Sequence, residues 1–409
     1  MDFSHLNERL LAARARPLDI EKLLAACDIL SRELASGAYL PLLTAAGLPK
    51  AKAEAELSYA ALVTSEKYLR ERLARELGPE PGEFIPYGSK TPVRQSRMPL
   101  GVLLHIAAGN VDALPVFSVL EGLLTGNINL LKLPSGEGGL SQMLLDRLIE
   151  IEPSVADYAY VFDIPSSDVE SLTSLARLAD CIVVWGGDEA VSAVRRLAPP
   201  EVKLVEWGHK ISFAYVSGVP EDAELEGIAV NICETEQLFC SSCQGIFVDT
   251  DDEGSALAFA ERFADVLARV SSKYPRTGGI FGAAKSTLEI YTEELESIGT
   301  GVRVIKQGGC SVTFRPDREL IPSKMFRNCW VAPLPKEELL PVLSKYKNRL
   351  QTAALVCPAA LRPELERLLF AAGVVRITKG ENMSRDHCGM PHDGSFPLRL
   401  YTRTVSAED

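Results

Sequence analysis

At 409 residues the chain is long for one core and suits two domains of roughly 200 residues. Its 46% hydrophobic and 24% charged composition is that of a globular protein and excludes disorder. A formal net charge of −12 with no Lys/Arg-rich stretch argues against nucleic acid as the main partner, because neutralising phosphates takes a basic surface.

Residues 1 to about 80 read as helical, with apolar residues three and four apart over Ile20–Leu34 and Ala51–Leu77. Met1–Pro17 lacks a signal-peptide pattern, and no apolar run reaches the roughly 18 residues that cross a membrane, so the cytoplasm is the expected compartment. Gly78–Pro99 is rich in Pro and Gly and is expected to be a loop. Strands and helices then alternate. Strands are expected at Gly101–Ile106, Asn129–Leu133, Tyr158–Phe162, Cys181–Trp185, Val202–Glu206 and Ser212–Val216, with helices at Asp112–Thr125 and Ser141–Ile149. That alternation predicts βαβ units on a mostly parallel sheet. A second α/β section starts near Glu236, with strands at Gly245–Val248, Val302–Lys306, Val312–Phe314, Trp330–Ala332, Ala353–Val356 and Val374–Thr378. Its helices are expected at Ser255–Val270, Thr287–Ile298 and Glu364–Ala372. The expected division is therefore 1–235 for the helical region and a cofactor domain, 236–378 for a catalytic domain, and 379–409 for a C-terminal arm.

No G-x-G-x-x-G follows a strand, so the usual dinucleotide fingerprint is absent. Asn110 instead ends a strand and precedes a helix, where it can present an amide to a ligand or simply cap the helix. Lys132, followed by Pro134 and Ser135, places a cation beside a helix start, suited to a ribose or phosphate or else merely solvated. Gly186 and Gly187 allow a close backbone approach or form a plain strand-to-helix turn. Glu206 sits at a strand end.

Nine cysteines spread along the chain fit reduced thiols rather than a disulfide framework. Cys240, in Phe-Cys-Ser-Ser-Cys-Gln, has the polar, small-residue setting a nucleophilic thiolate needs, unlike Cys27, Cys181 or Cys357 in apolar runs. With Cys243 it makes a C-x-x-C, which lacks the second pair of a zinc or iron–sulfur site. His387, Cys388, His392 and Asp393 are potential ligands, but Pro and Gly among them point to a structured loop, and no metal is expected. His105, in an apolar strand, reads as a core histidine.

Taken in order over residues 95–380, these segments resemble the aldehyde dehydrogenase superfamily: an Asn loop, a Lys-Pro-Ser loop, a Gly turn, a Glu element and a Cys, with 34 residues from Glu206 to Cys240. Pro99–Asn110, Leu-Leu-Thr-Gly-Asn-Ile-Asn-Leu-Leu-Lys132 and Cys240-Ser-Ser-Cys-Gln resemble the luminescence-type (LuxC) acyl-CoA reductases, which usually carry Cys-Ser-Ser-Pro-Gln. The resemblance implies an α/β aldehyde dehydrogenase-like fold with two parallel-sheet domains. It implies Cys240 as the acyl carrier, Asn110 as an oxyanion donor and Glu206 as a proton-transfer or structural group. Lys132, Ser135, Gly186 and Gly187 would bind the nicotinamide cofactor.

After Lys132, Ser135-Gly136 fall near the point where NAD-preferring members often place an acid, with Glu137 one step beyond, and the resemblance implies NADPH, with NADH as the other form. The expected reaction is reduction of an acyl-CoA to the aldehyde. Two other readings stand beside it: hydrolytic oxidation of an aldehyde, favoured by Glu206, and an inactive nucleotide-binding scaffold. The resemblance further implies a homo-oligomer and an acyl-protein synthetase partner.

Overall fold

The structure, a computed structural model, describes residues 3–45, 48, 50–79, 81–107, 114–134, 139–276 and 279–408. It comprises two compact units, Met1–Gly208 together with His387–Asp409, and His209–Asp386.

The first unit opens with helices. Ile20–Ala35 starts where the Asp19 side chain accepts from the Lys22 amide at 3.2 Å, and it buries Leu23, Leu24, Cys27, Leu30 and Leu34 along one stripe. The single helix expected over 51–77 is two, Lys50–Thr64 and Glu66–Leu77. Ser65 is extended and caps the second helix, its hydroxyl accepting from the Tyr68 amide at 3.4 Å.

Five parallel strands follow, side by side in the order Ala159–Phe162, Ile128–Lys132, Val102–Ile106, Cys181–Trp185, Lys203–Trp207. Numbered along the chain this is 3-2-1-4-5, the order of a dinucleotide-binding sheet without its glycine fingerprint. The central strands are apolar runs because helices cover both faces. Gly122 is needed where helix Leu114–Leu124 meets its neighbour strand: a Cβ there would sit 1.7 Å from Asn129 Oδ1. The stretch expected to be loop contains strand Val93–Pro99, which pairs antiparallel with Thr402–Glu408 over seven residues.

The second unit carries a seven-stranded sheet ordered Arg303–Gln307, Cys310–Phe314, Asn328–Pro333, Cys243–Val248, Ile211–Val216, Leu350–Val356, Arg376–Thr378. All pairings are parallel except the Arg303–Gln307/Cys310–Phe314 hairpin. Gly245 lets the Trp330 ring lie against its strand, since a Cβ would come within 2.1 Å of the indole.

The expected boundary at 235/236 is displaced to 208/209. Ile211–Val216 is a fully buried strand of the second sheet, bonded on both sides, and helix Asp222–Thr235 packs on Glu253–Ser271. The expected arm from 379 begins at 387. Gly380 lies against the helix, where a Cβ would be 2.4 Å from the Ile228 amide, so 379–386 stays with the second unit. No helix among the described residues is long and apolar enough to cross a membrane.

Candidate active site

In the first unit the strand order reverses between Val102–Ile106 and Cys181–Trp185, and open α/β sheets bind ligands outside the carboxyl ends at such a point. Three residues expected from sequence end strands on this edge or follow them directly. Lys132 closes its strand and is 3% exposed, its Nζ donating to Ser166 Oγ at 3.0 Å. Burial lowers the affinity of its amine for a proton, partly offset by nearby Asp163. Gly186 and Gly187 follow Trp185. A Cβ on Gly186 would be 3.0 Å from Ala190 Cβ, whereas nothing lies within 4 Å of one on Gly187. Packing therefore explains the first glycine, and the second leaves open space. Asp188 and Glu189 occupy the first turn of helix Asp188–Leu197, so its positive end already faces carboxylates. Asn110 and Ser135 lie outside the described residues.

Glu206 is the penultimate residue of the edge strand Lys203–Trp207, and its carboxylate is engaged within the chain. Its two oxygens accept from Arg195 Nε and Nη2 at 2.5 and 2.6 Å. This two-point pair raises the hold of Arg195 on its proton. Behind the edge, Trp185 stacks on Trp207 at 5.3 Å between centroids, and His392 stands 4.9 Å from Trp207. The tail residues thus serve packing: His392 joins the two indoles, and Cys388 donates to the Tyr68 carbonyl at 3.2 Å. Among the described residues no group of three or more His, Cys, Asp or Glu could hold a metal.

His105 is fully buried. The Asn129 amide nitrogen donates to the Asn127 and Tyr158 carbonyls, so its Oδ1 must accept from His105 Nε2 at 2.9 Å. Nδ1 then accepts from Ser118 Oγ at 2.7 Å, and Trp185 Nε1 donates to that same hydroxyl at 3.0 Å. The ring is neutral, its pKa pushed down to about 4 by burial, with the Asn129 bond opposing. An unfolded chain takes up this proton near pH 6.5 and the native one only near 4, so stability falls as pH drops through that window. Between pH 7 and pH 5 the advantage of wild type over His105→Gln in urea unfolding should shrink by roughly 2 kcal/mol. A difference that stays constant with pH would contradict a neutral, buried ring.

In the second unit, Cys240 is the exposed member of the cysteines. Helix Asp222–Thr235 ends in two left-handed residues, Glu236 (φ 47°) and Gln237 (φ 62°), which turn the chain toward it. The Gln237 amide donates to the Cys243 carbonyl at 3.0 Å, and the Gln244 amide returns the bond to the Gln237 carbonyl at 3.2 Å. Ser212 Oγ donates to the Cys240 carbonyl at 2.7 Å, and Gln351 Nε2 donates to Cys240 Sγ at 3.2 Å. Below the turn, Arg327 is wholly buried and reaches Glu236 Oε1 at 3.3 Å, Ser271 Oγ at 2.7 Å and the Tyr274 and Pro275 carbonyls at 3.0 and 2.9 Å. Met325, Phe326 and Arg327 are themselves left-handed, and the Phe326 amide donates to the Glu236 carbonyl at 2.9 Å.

The C-x-x-C joins unlike partners. Cys243 is in the core, donates to the Gly245 carbonyl at 3.3 Å and has its thiol pushed up to about 12 by burial. Burial likewise pushes Cys27, Cys181 and Cys233 up to about 12. Gln351, Ser212 and the Glu236–Arg327 pair were not singled out from sequence. The one available signal was Gln351-Thr352, two polar residues in an otherwise apolar strand.

Residues 21–404 match the family model described as Acyl-CoA reductase (LuxC). A long-chain acyl-protein thioester reductase of Aliivibrio fischeri is 26% identical over 76% of this chain, which spans 64% of that relative's length. A reductase of the same description from Vibrio harveyi is 28% identical over 90% of the chain and 76% of its own length. Among solved structures, succinic semialdehyde dehydrogenase from Streptococcus pyogenes, in complex with NADP+, superposes with a TM-score of 0.70 at 13% identity, over 99% of this chain and 91% of its own. Lactaldehyde dehydrogenase from Escherichia coli gives 0.70 at 15%, over 98% and 88%. The fold is that of the aldehyde dehydrogenases, and the match over residues 21–404 shows that the chain belongs to the acyl-CoA reductase (LuxC) family.

Proposed function

We propose that the chain reduces a fatty acyl thioester, such as an acyl-CoA, to the aldehyde through an acyl group carried on Cys240, with NADPH as reductant. The observation that carries this reading is the contrast among thiols: Cys240 is exposed on a braced turn, while Cys27, Cys181, Cys233 and Cys243 are buried and hold their protons. The Cys240 thiolate attacks the thioester carbon, and the donor sulfur leaves with the electron pair of its bond. Asn110 is proposed as a donor to the oxyanion, a role typically worth about 3 kcal/mol. The nicotinamide, when bound, supplies a hydride.

Lys132, Ser135, Gly186 and Gly187 are proposed to hold that cofactor. The fit rests on the strand order, the open space at Gly187, and Lys132 as a buried cation that bonds a neutral hydroxyl, with the Asp163 carboxylate nearby. A phosphate suits such a cation better than a hydroxyl does. The carboxylates of Asp188 and Glu189 disfavour a second phosphate at that helix start, so the anionic part belongs on the Lys132 side.

Glu206 supports reduction over hydrolysis. Both carboxylate oxygens are already engaged by the Arg195 guanidinium, so the group is not aimed at a water on an acyl-enzyme. Were it the general base of a hydrolytic enzyme, Glu206→Gln would cost roughly 10²–10⁴-fold in turnover. The expected result is aldehyde formation within about threefold of wild type, read from steady-state rates.

The deciding experiment is intact mass after adding a medium-to-long-chain acyl-CoA without cofactor. One acyl group should be gained, then discharged as aldehyde by NADPH. Discharge as free acid would favour the hydrolytic dehydrogenase, and no adduct would favour the inactive scaffold. The matched relatives are named for acyl-protein thioesters, so an acylated protein is the second donor to try.

A further inference from the structure

We propose that Gln351 is a catalytic residue whose side-chain amide holds negative charge on the Cys240 sulfur, when the thiolate attacks and again when it leaves. The proposal rests on the reading of Cys240 as the acyl carrier. Gln351 is 7% exposed, and its Nε2 lies 3.2 Å from Cys240 Sγ. Burying an amide disfavours the fold unless its bonds are met, and a neighbouring apolar residue would have continued the Ala353–Val356 pattern of the strand.

The local backbone explains why the amide points at the sulfur. The pairing of Leu350–Val356 with Ile211–Val216 shifts register between Leu350 and Ala353, and the Ile211–Val216/Cys243–Val248 pairing shifts between Ser212 and Ala214. Such irregularities re-aim a side chain. Here the Thr352 amide donates to Ser212 Oγ at 3.0 Å instead of to a ladder carbonyl. The same hydroxyl donates to the Cys240 carbonyl at 2.7 Å. On the other side the Gln351 carbonyl accepts from the Val375 amide at 3.0 Å. One irregular pair of strands thus grips the nucleophile at two atoms, its carbonyl through Ser212 and its sulfur through Gln351.

An N–H aimed at sulfur stabilises the thiolate over the thiol. In acylation, the Cys240 thiol gives its proton to solvent, its electron pair forms the bond to the acyl carbon, and the donor thiolate departs and takes up a proton. Once that carbon has been reduced by the hydride that a bound nicotinamide would supply, the C–Sγ bond breaks. Its pair returns to Cys240 while the aldehyde C=O forms. In both halves the charge that Gln351 meets is on sulfur, whereas an oxyanion donor acts on oxygen.

The test is the pH profile of iodoacetamide modification at Cys240, followed by mass of its peptide, in wild type, Gln351→Leu and Gln351→Glu. Loss of the donor should move the midpoint to higher pH, leave the high-pH plateau near wild type, and slow modification at pH 7 by about three- to tenfold. Gln351→Glu keeps the shape but opposes the thiolate with a carboxylate, so its midpoint should move further. Aldehyde release should fall by about ten- to a hundredfold in both. A midpoint that does not move in either variant overturns the proposal, even if the plateau falls, because that pattern reports misplacement alone. Gln351→Asn, shorter but still an amide, is the replacement should the leucine variant not fold, and there too an unmoved midpoint overturns the role. Absence of an acyl adduct on wild type would count against the thioester reading, whereas the alkylation profile needs no acyl donor and speaks to Gln351 separately.

Discussion

Cys240→Ala should lower thioester reduction by roughly 10⁴–10⁶-fold, the loss expected when a covalent nucleophile is removed. No thiol near Cys240 can stand in for the proposed nucleophile. Cys243 is three positions away but is buried in the core, bonded to the Gly245 carbonyl and held protonated to about pH 12. Cys233, at the end of the preceding helix, is buried as well and pushed equally high, with the Arg327 charge only partly offsetting burial. The side chain removed is exposed, so the unfolding midpoint in urea should stay close to that of wild type. Steady-state aldehyde production and intact mass after acyl-CoA addition check both halves. Retention of a few per cent of activity would move the nucleophile elsewhere.

Arg327→Met should destabilise the second unit by about 3–5 kcal/mol, as expected for breaking a buried ion pair on one side. Methionine roughly fills the space of the stem but leaves the Glu236 carboxylate, 3% exposed, without its cation. Ser271 and the carbonyls of Tyr274 and Pro275 lose a donor at the same time. Five left-handed non-glycine residues depend on this pair of segments, Glu236 and Gln237 facing Met325, Phe326 and Arg327. Each such backbone costs of order 1–3 kcal/mol and persists only where its surroundings over-determine it. Arg327→Lys keeps the charge but not the fork, and should fall between. The double variant Glu236→Gln/Arg327→Met should recover part of the loss, because the stranded charge is gone. Denaturant unfolding measures all four proteins, and a loss below about 1 kcal/mol for Arg327→Met would mean that the pair is not what holds the turn.

The strands that form the two sheets were legible because buried parallel strands are short apolar runs between Gly/Pro breaks. Cys181–Trp185 has the same ends in sequence and structure, and most others shift by one to three residues. Strand Val93–Pro99 was not legible. Its residues Val-Arg-Gln-Ser-Arg-Met-Pro are mostly half-buried and polar, and it exists because Thr402–Glu408, some 300 positions later, supplies its hydrogen bonds. The helix break at Ser65 was hidden for the opposite reason: Thr-Ser-Glu continues a helical composition, and only the cap bond reveals the stop.

Of the proposed site residues, Lys132, Gly186 and Glu206 end or follow strands and Cys240 precedes one, the placements that the sequence order implies. The partner of Glu206 was not legible, since Arg195 lies eleven residues back on a helix and nothing in the pattern pairs them. Gln351 could not be tied to Cys240 either. That contact depends on two register shifts, which are properties of strands already paired.

The second unit is one continuous stretch, His209–Asp386, set between two pieces of the first. During synthesis this stretch is made whole before His387–Asp409, and domains fold as units as they emerge. Val93–Pro99 must wait for just over three hundred further residues before its long partner exists. Until then its backbone donors and acceptors on that side are open to another chain, since an unpaired edge is a template for association. The nascent protein is therefore open to association at this edge of its first unit while the unit that carries Cys240 is being made.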